Sequence, residues 1–354
     1  MKVAVIGGGF YGIMAALEAA KHNHIKEISI FEKKESLMQA AGKYNQARLH
    51  LGFHYPRSEE TIIQSSIGFN LYQKRFPNVT KAIEKNIYLI REDGLLSIDE
   101  YLKIMRKNNI NFEEIDIQES SFKYKSNGIA FKAIQVEERY IDIVKLNKNL
   151  FREIKEMGIN LYLNSEAKYI DNELGEIKFN NGYSGKYDLI INCSYTNPFI
   201  GFSLNKVQLK YEYCTLLLIS SDEVKNQAIT IMDGQFVSIY PWLSNLHTVS
   251  SVKFTPSIKT DSFFDLQNLL NNRTIFENEK TNLLIEDHMR SFFDFTYTLV
   301  GSFSTIKVKL KEDNGDQRLV KTFSEGKCIT VLQGKLDAVN FFLDDLSKRI
   351  NELR

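Results

Sequence analysis

The residues best suited to chemistry stand at the start of the chain. Gly7-Gly8-Gly9-Phe10-Tyr11-Gly12 matches the pattern GxGxxG. Gly7 permits a tight turn. Gly9 lets the backbone approach a pyrophosphate with no Cβ in the way, and Gly12 lets a helix pack closely on a strand. From Phe10 and Tyr11 onward the helix N-terminus offers free N–H groups and a positive dipole end to phosphates. Glu32 stands twenty residues beyond Gly12, where a carboxylate holds a ribose hydroxyl. Its charge would repel a 2′-phosphate. The alternative is a glycine-rich turn of another α/β fold, and the surrounding elements weigh against it.

Those elements make a βαβ unit: an apolar strand Lys2–Ile6, a helix from Phe10 to Lys21, and a strand Glu27–Phe31. A polar segment, Glu35 to Arg57, follows without clear period. Long irregular segments inside compact domains are often functional. Ser58 is placed to cap a helix reaching Arg75, with Glu59 and Glu60 in its first turn. Residues 86–135 read as short strands and an amphipathic helix from Ser97. Ile141 to Met157 is a helix, and 175–193 ends in the apolar strand YDLIINC. Ala228–Met232, Asp233-Gly234 and Phe236–Trp242 form a hairpin pattern. Helices are expected over 261–272 and 276–291. A strand Cys328–Leu332 leads through Gly334 into a helix from Asp337 to Leu353.

The chain has 354 residues, which favours two intertwined domains. Its net charge of +1 gives no global field toward nucleic acid or an acidic membrane. No apolar run approaches the ~18 residues of a membrane span, and the apolar N-terminus is too short for a signal peptide. Cys193, Cys214 and Cys328 are odd in number and form no CxxC, so disulfides and zinc are unsupported. A reducing, cytoplasmic setting is expected. His22, His24, His247 and His288 lack metal-ligand spacing, and no metal is expected. His22 and His24, past a helix end, read as solvated.

KVAVIGGGFYG and IFEKK make the sequence similar to the D-amino-acid oxidase (glycine/sarcosine oxidase) family of FAD-dependent oxidoreductases. The resemblance implies an α/β fold: a Rossmann-like FAD-binding domain with a second, mainly antiparallel-sheet substrate domain. FAD-binding parts would be 1–80, 138–205 and 305–354, with substrate parts 81–137 and 206–304. FAD contacts would include Gly7, Gly9, Phe10, Tyr11, Gly12, Glu32 and Lys33. Asn45 lies in the segment expected beside the flavin, AAGKYNQARLHLGFHY. Ala167 follows the helix and strand that reach the adenosine, and Cys193 ends the strand returning beneath the cofactor. Gly334, Lys335 and Leu336, after Gln333, would turn amides toward the flavin. One glycine there is fewer than the family usually carries, and Lys307 stands about where many members have a carboxylate-binding Arg. NQARLHLGFHYPRS and MDGQFVSIYPW are more loosely similar to bacterial members linked to surface-sugar or secondary metabolism. UDP-galactopyranose mutase is a more distant likeness.

The resemblance implies oxidation of a C–N bond of an amine or amino-acid-like small molecule, with hydride passing to the flavin. Arg48 and His50 are the catalytic candidates. They would touch the flavin or an anionic substrate group, or else make ordinary loop hydrogen bonds. His54 and Tyr55 are weaker candidates, and Arg57 is expected to cap or to pair with Glu60. Tyr240 and Trp242 would line the substrate pocket or pack in the core. Lys307 and Arg318 are candidate anion contacts. Alternatives are a flavoenzyme acting on a sugar or nucleotide sugar, and a nucleotide-binding protein without catalysis.

Overall fold

A computed structural model describes residues 1–243, 245–311, 319–332 and 334–353. Arg318 and Gln333 lie outside the described residues. The sheet that carries the glycine turn has the order Asn160–Tyr162, Glu27–Phe31, Lys2–Ile6, Leu189–Asn192, Cys328–Leu332, Lys321–Glu325. Its strands are parallel except the last, which pairs antiparallel at the edge. The inner strands are near-continuous apolar runs because both faces are covered. Helices Phe10–Ala19, Ile143–Glu156 and Val339–Glu352 cover one face, where Ile13, Leu146 and Leu346 meet Ile30, Ile191 and Val331. On the other face a small antiparallel sheet, Ala167–Asp171, Glu176–Phe179 and Ser184–Lys186, packs Ile170, Ile177 and Phe179 onto Ile6 and Phe31.

Local sequence explains these helices. Ile143, Leu146, Leu150 and Ile154 fall on one face and are buried. The Asp142 side chain accepts the Lys145 amide as a cap. Ser58 caps Glu59–Arg75 in the same way, and Ser97 with Glu100 forms a full capping box before Ile98–Lys107.

The second sheet is mostly antiparallel. It runs Pro256–Thr260, Leu209–Ser220, Leu246–Ser251, Val237–Leu243, Gln227–Met232, Lys85–Arg91, Phe131–Gln135, Glu113–Ile115. Side chains alternate between its faces. Ile87 and Leu89 join Leu217, Ile229 and Met289 of helix Ile275–Phe292, whereas Tyr88 and Ile90 join Tyr101 and Met105 of Ile98–Lys107. The long strand Thr298–Leu310 pairs along its length with Leu209–Ser220. The expected domain boundary at 304/305 therefore falls inside a strand, which ends at Leu310.

A third, small sheet joins the two. Arg48–Leu49 pairs with Arg139–Ile141, which also pairs with Thr80–Ala82. One expectation fails nearby: His22 is 8% exposed rather than solvated, because Val339–Glu352 covers it and Ser347 Oγ lies 3.2 Å from its Nε2.

Leu217 has no exposed surface. A Leu217→Ala variant should lose about 2–5 kcal/mol of unfolding free energy, read as a lower denaturant midpoint at unchanged slope.

Candidate functional site

The glycine turn is built by close approach. Gly7 has φ +101°, and a Cβ there would stand 2.7 Å from the Cys193 carbonyl oxygen. A Cβ at Gly12 would stand 1.8 Å from the Gly7 carbonyl oxygen. At Gly9 a Cβ would meet nothing within 4 Å, so bare backbone faces open space there. The Gly8 amide donates to Glu32 Oε2 at 2.6 Å and the Lys34 amide donates to Oε1 at 2.8 Å. These bonds aim the carboxylate, and each oxygen keeps capacity to accept another hydrogen bond.

A cavity of about 760 Å³ runs from this turn to the second sheet. At the turn end its wall includes Gly7, Gly9, Phe10, Tyr11, Glu32 and Lys33, with Ala167 and Cys193. The same wall includes Asn45, Arg48, His50, Lys307, Gly334, Lys335 and Leu336. Of the remaining candidates, Gly12, Tyr240 and Trp242 do not line it. Tyr11 Oη donates to the Lys335 carbonyl at 2.6 Å, joining the first helix to the closing segment. Burial, then the Asp337 charge, holds that phenol well above its usual range. Lys335 Nζ donates to the Ser65 hydroxyl, lies 3.6 Å from the Asp337 carboxylate, and sits 4.6 Å over the Tyr55 ring.

Arg48 is 7% exposed. Its Nη1 donates to Thr230 Oγ1 at 2.9 Å and its Nη2 donates to the Ser238 hydroxyl. Its guanidinium carbon sits 3.9 Å over the Tyr240 ring. Among the described residues no carboxylate pairs with it, and its Nε has no hydrogen-bond partner. A buried cation held only by hydroxyls and a ring face is costly. Tyr240 is fully buried and donates to the Arg139 carbonyl at 3.1 Å, so it is a platform for Arg48. Trp242 tilts against Phe303 with ring centroids 5.2 Å apart.

His50 stands beside a residue that sequence reasoning missed. Glu138 Oε1 lies 3.8 Å from His50 Nδ1. Glu138 also accepts the Leu51 amide at 2.8 Å and the Tyr88 hydroxyl at 2.7 Å. Burial pushes this carboxyl upward, but His50, Tyr88 and the Leu51 amide outweigh it and hold the pKa below the usual value. His54 Nδ1 lies 2.8 Å from the Tyr88 oxygen. Since Tyr88 gives its proton to Glu138, His54 must donate from Nδ1. Burial first, then Arg48, His50, Lys307 and Lys335, pushes the His54 pKa well below its usual range, so this ring is neutral. Arg57 pairs with Asp233 at 2.9 Å, across the chain, rather than with the expected Glu60.

The three cysteines are each buried. Among the described residues no group of three or more His, Cys, Asp or Glu gathers as for a metal, and no helix is long and apolar enough to cross a membrane.

An adenine dinucleotide fits what the residues offer: bare backbone at Gly9, an aimed carboxylate at Glu32, and a cavity continuing past both. Residues 2–272 match a family profile described as FAD dependent oxidoreductase. The chain is 26% identical over 352 residues to the FAD-dependent monooxygenase FPY4 of Fusarium mangiferae, covering 96% of this chain and 88% of that one. NikD, an amino acid oxidase essential for nikkomycin biosynthesis, shares the fold at TM-score 0.76 and 14% identity, covering 98% of this chain and 93% of that one. Glycine oxidase from Geobacillus kaustophilus does so at TM-score 0.69 and 15% identity, covering 98% and 94%. This chain belongs to the D-amino-acid oxidase family of FAD-dependent oxidoreductases, and FAD is its cofactor.

Proposed function

We propose that this oxidoreductase oxidises the C–N bond of an amine or amino-acid-like substrate that carries an anionic group. The observation that carries the reading is Arg48: a buried guanidinium on the cavity wall with no carboxylate partner among the described residues. A substrate carboxylate would supply the missing charge and remove the penalty of burying a lone cation. Lys307, on the same wall, adds positive charge. The fold shared with NikD and glycine oxidase supports the same class.

In this reading Gly7, Gly9, Phe10 and Tyr11 present backbone to the pyrophosphate, Gly12 keeps the helix close, and Glu32 accepts a ribose hydroxyl. Lys33 and Ala167 flank the adenosine. Asn45, Cys193, Gly334, Lys335 and Leu336 border the flavin. Bound FAD supplies the hydride acceptor. Arg48 orients the substrate by its anionic end, and Tyr240 holds Arg48 from behind. The division into FAD-binding parts 1–80 and 138–205 with a closing segment, and substrate parts between them, belongs to the same reading, with the last boundary moved past Leu310. So does a reducing, cytoplasmic setting.

Anaerobic mixing of the yellow holoenzyme with amino acids, amines, hydroxy acids and nucleotide sugars tests the function. An anionic amine should bleach the flavin band. Bleaching by nucleotide sugars or hydroxy acids alone would sink the proposal. Arg48→Gln should lower kcat/KM for that amine by about a hundredfold or more, from the 3–5 kcal/mol attached to breaking a buried charge pair. An amine lacking the anionic group should be affected far less. Glu32→Ala should raise the FAD dissociation constant about tenfold or more, since a hydrogen bond to a charged group contributes about 1.5–3 kcal/mol. Flavin release on dilution measures it.

A further inference from the structure

In the small sheet, Arg48 lies opposite Tyr140 and Leu49 opposite Arg139. Continuing that antiparallel register by one step sets His50 opposite Glu138. The two side chains meet there at 3.8 Å between Nδ1 and Oε1. The Glu138 side chain is fully buried, and among the described residues no Lys or Arg pairs with it. Its other partners, the Leu51 amide and the Tyr88 hydroxyl, are neutral. His50 lines the cavity, and its Nδ1 is buried without a hydrogen-bond partner. Around its ring stand His54 and Tyr55, with centroids 5.1 and 5.7 Å away. The cations Arg48, Lys307 and Lys335 bear on the same cluster. They disfavour a positive charge on His54.

We propose that Glu138 is a positioning residue: it holds the His50 proton on Nδ1, so that His50 Nε2 receives a proton from the substrate nitrogen. The inference rests on the amine-oxidising reading of the cavity. The substrate N–H bond breaks, its proton passes to His50 Nε2, and the electron pair stays on nitrogen. That pair becomes the C=N π bond as the C–H bond breaks and its electrons leave as hydride to the flavin. The substrate loses two electrons and the flavin gains two. A carboxylate behind an imidazole fixes its tautomer and stabilises the charge that proton uptake creates. A 3.8 Å gap closes to a hydrogen bond with a shift of less than about 1 Å, and such contacts commonly tighten when substrate binds.

The test uses holoenzyme carrying 15N-labelled histidine, as wild type, Glu138→Gln and Glu138→Leu. Side-chain 15N shifts report the tautomer of each ring, and His247, whose Nε2 donates to the Gln227 carbonyl at 3.1 Å, is the internal control. Wild type should show His50 protonated on Nδ1. Gln keeps a carbonyl acceptor and should keep that tautomer, whereas Leu should give a mixture. The limiting rate of anaerobic flavin reduction by the best amine should fall about tenfold to a hundredfold in Glu138→Leu, the size of losing one hydrogen bond to a charged group. KM should stay nearly constant, and Gln should restore part of the rate. An unchanged His50 tautomer in the Leu variant would overturn the proposal, and so would a loss confined to KM. Should no amine bleach the wild-type flavin, the amine reading falls by itself, and the tautomer measurement alone decides whether Glu138 positions His50.

Discussion

The pairing of Arg48–Leu49 with Arg139–Ile141 is the constraint on which the reacting end depends. The segment between Phe31 and Glu59 has no other strand or helix. A strand of two residues cannot hold itself, since each ladder bond contributes only about 0.5–1.5 kcal/mol net. Side chains complete it. Glu138 accepts the Leu51 amide, and Tyr101 donates to the Phe53 carbonyl. Arg48 reaches Thr230 and Ser238 on the second sheet. One short ladder thus sets the register of His50 against Glu138 and carries Arg48 between the two sheets.

The site keeps its buried charges apart. Arg48 and Glu138 are both nearly inaccessible, yet they do not pair with one another. Pairing them would have neutralised both, leaving Arg48 nothing to offer an anion and His50 no carboxylate. Each is instead made tolerable by neutral groups: hydroxyls and the Tyr240 face for Arg48, an amide and the Tyr88 hydroxyl for Glu138. His54 sits among the cations and stays neutral, sparing the cluster a further positive charge. Charge left partly uncompensated costs folding energy and is retained where a ligand can use it.

The nucleotide half was legible because its instructions are local. Gly12 and Glu32 act over a few dozen residues, and the caps at Ser58, Ser97 and Asp142 act over three. Glu138 was not legible. It stands in the charged run EERY, and its role depends on partners 50 and 87 residues away in sequence, Tyr88 and Leu51. Arg57 was read with a neighbour, Glu60, whereas its partner Asp233 comes from a distant turn. Tyr240 is buried and Trp242 half-buried, and their types carried no information on which side of the cavity wall they face. Thr298–Leu310 is different: IKVKL alternates, so part of that strand was readable, and Gly301 interrupts the rest.

This division bears on what the relatives can say. A TM-score of 0.76 at 14% identity with NikD shows how little shared sequence the fold requires. Covered parallel strands need apolar runs, and helices need an apolar face and a cap; many sequences satisfy both. The cavity wall has no such freedom, since individual side chains such as Arg48 and Lys307 reach it from distant parts of the chain. A shared fold therefore transmits the cofactor's place more readily than the substrate's identity. The substrate class has to be argued from charge, and the buried guanidinium of Arg48 is where that argument has most force. Most of its desolvation is already borne in the folded chain, where it is 7% exposed, so an arriving carboxylate gains the attraction without bearing that part of the cost.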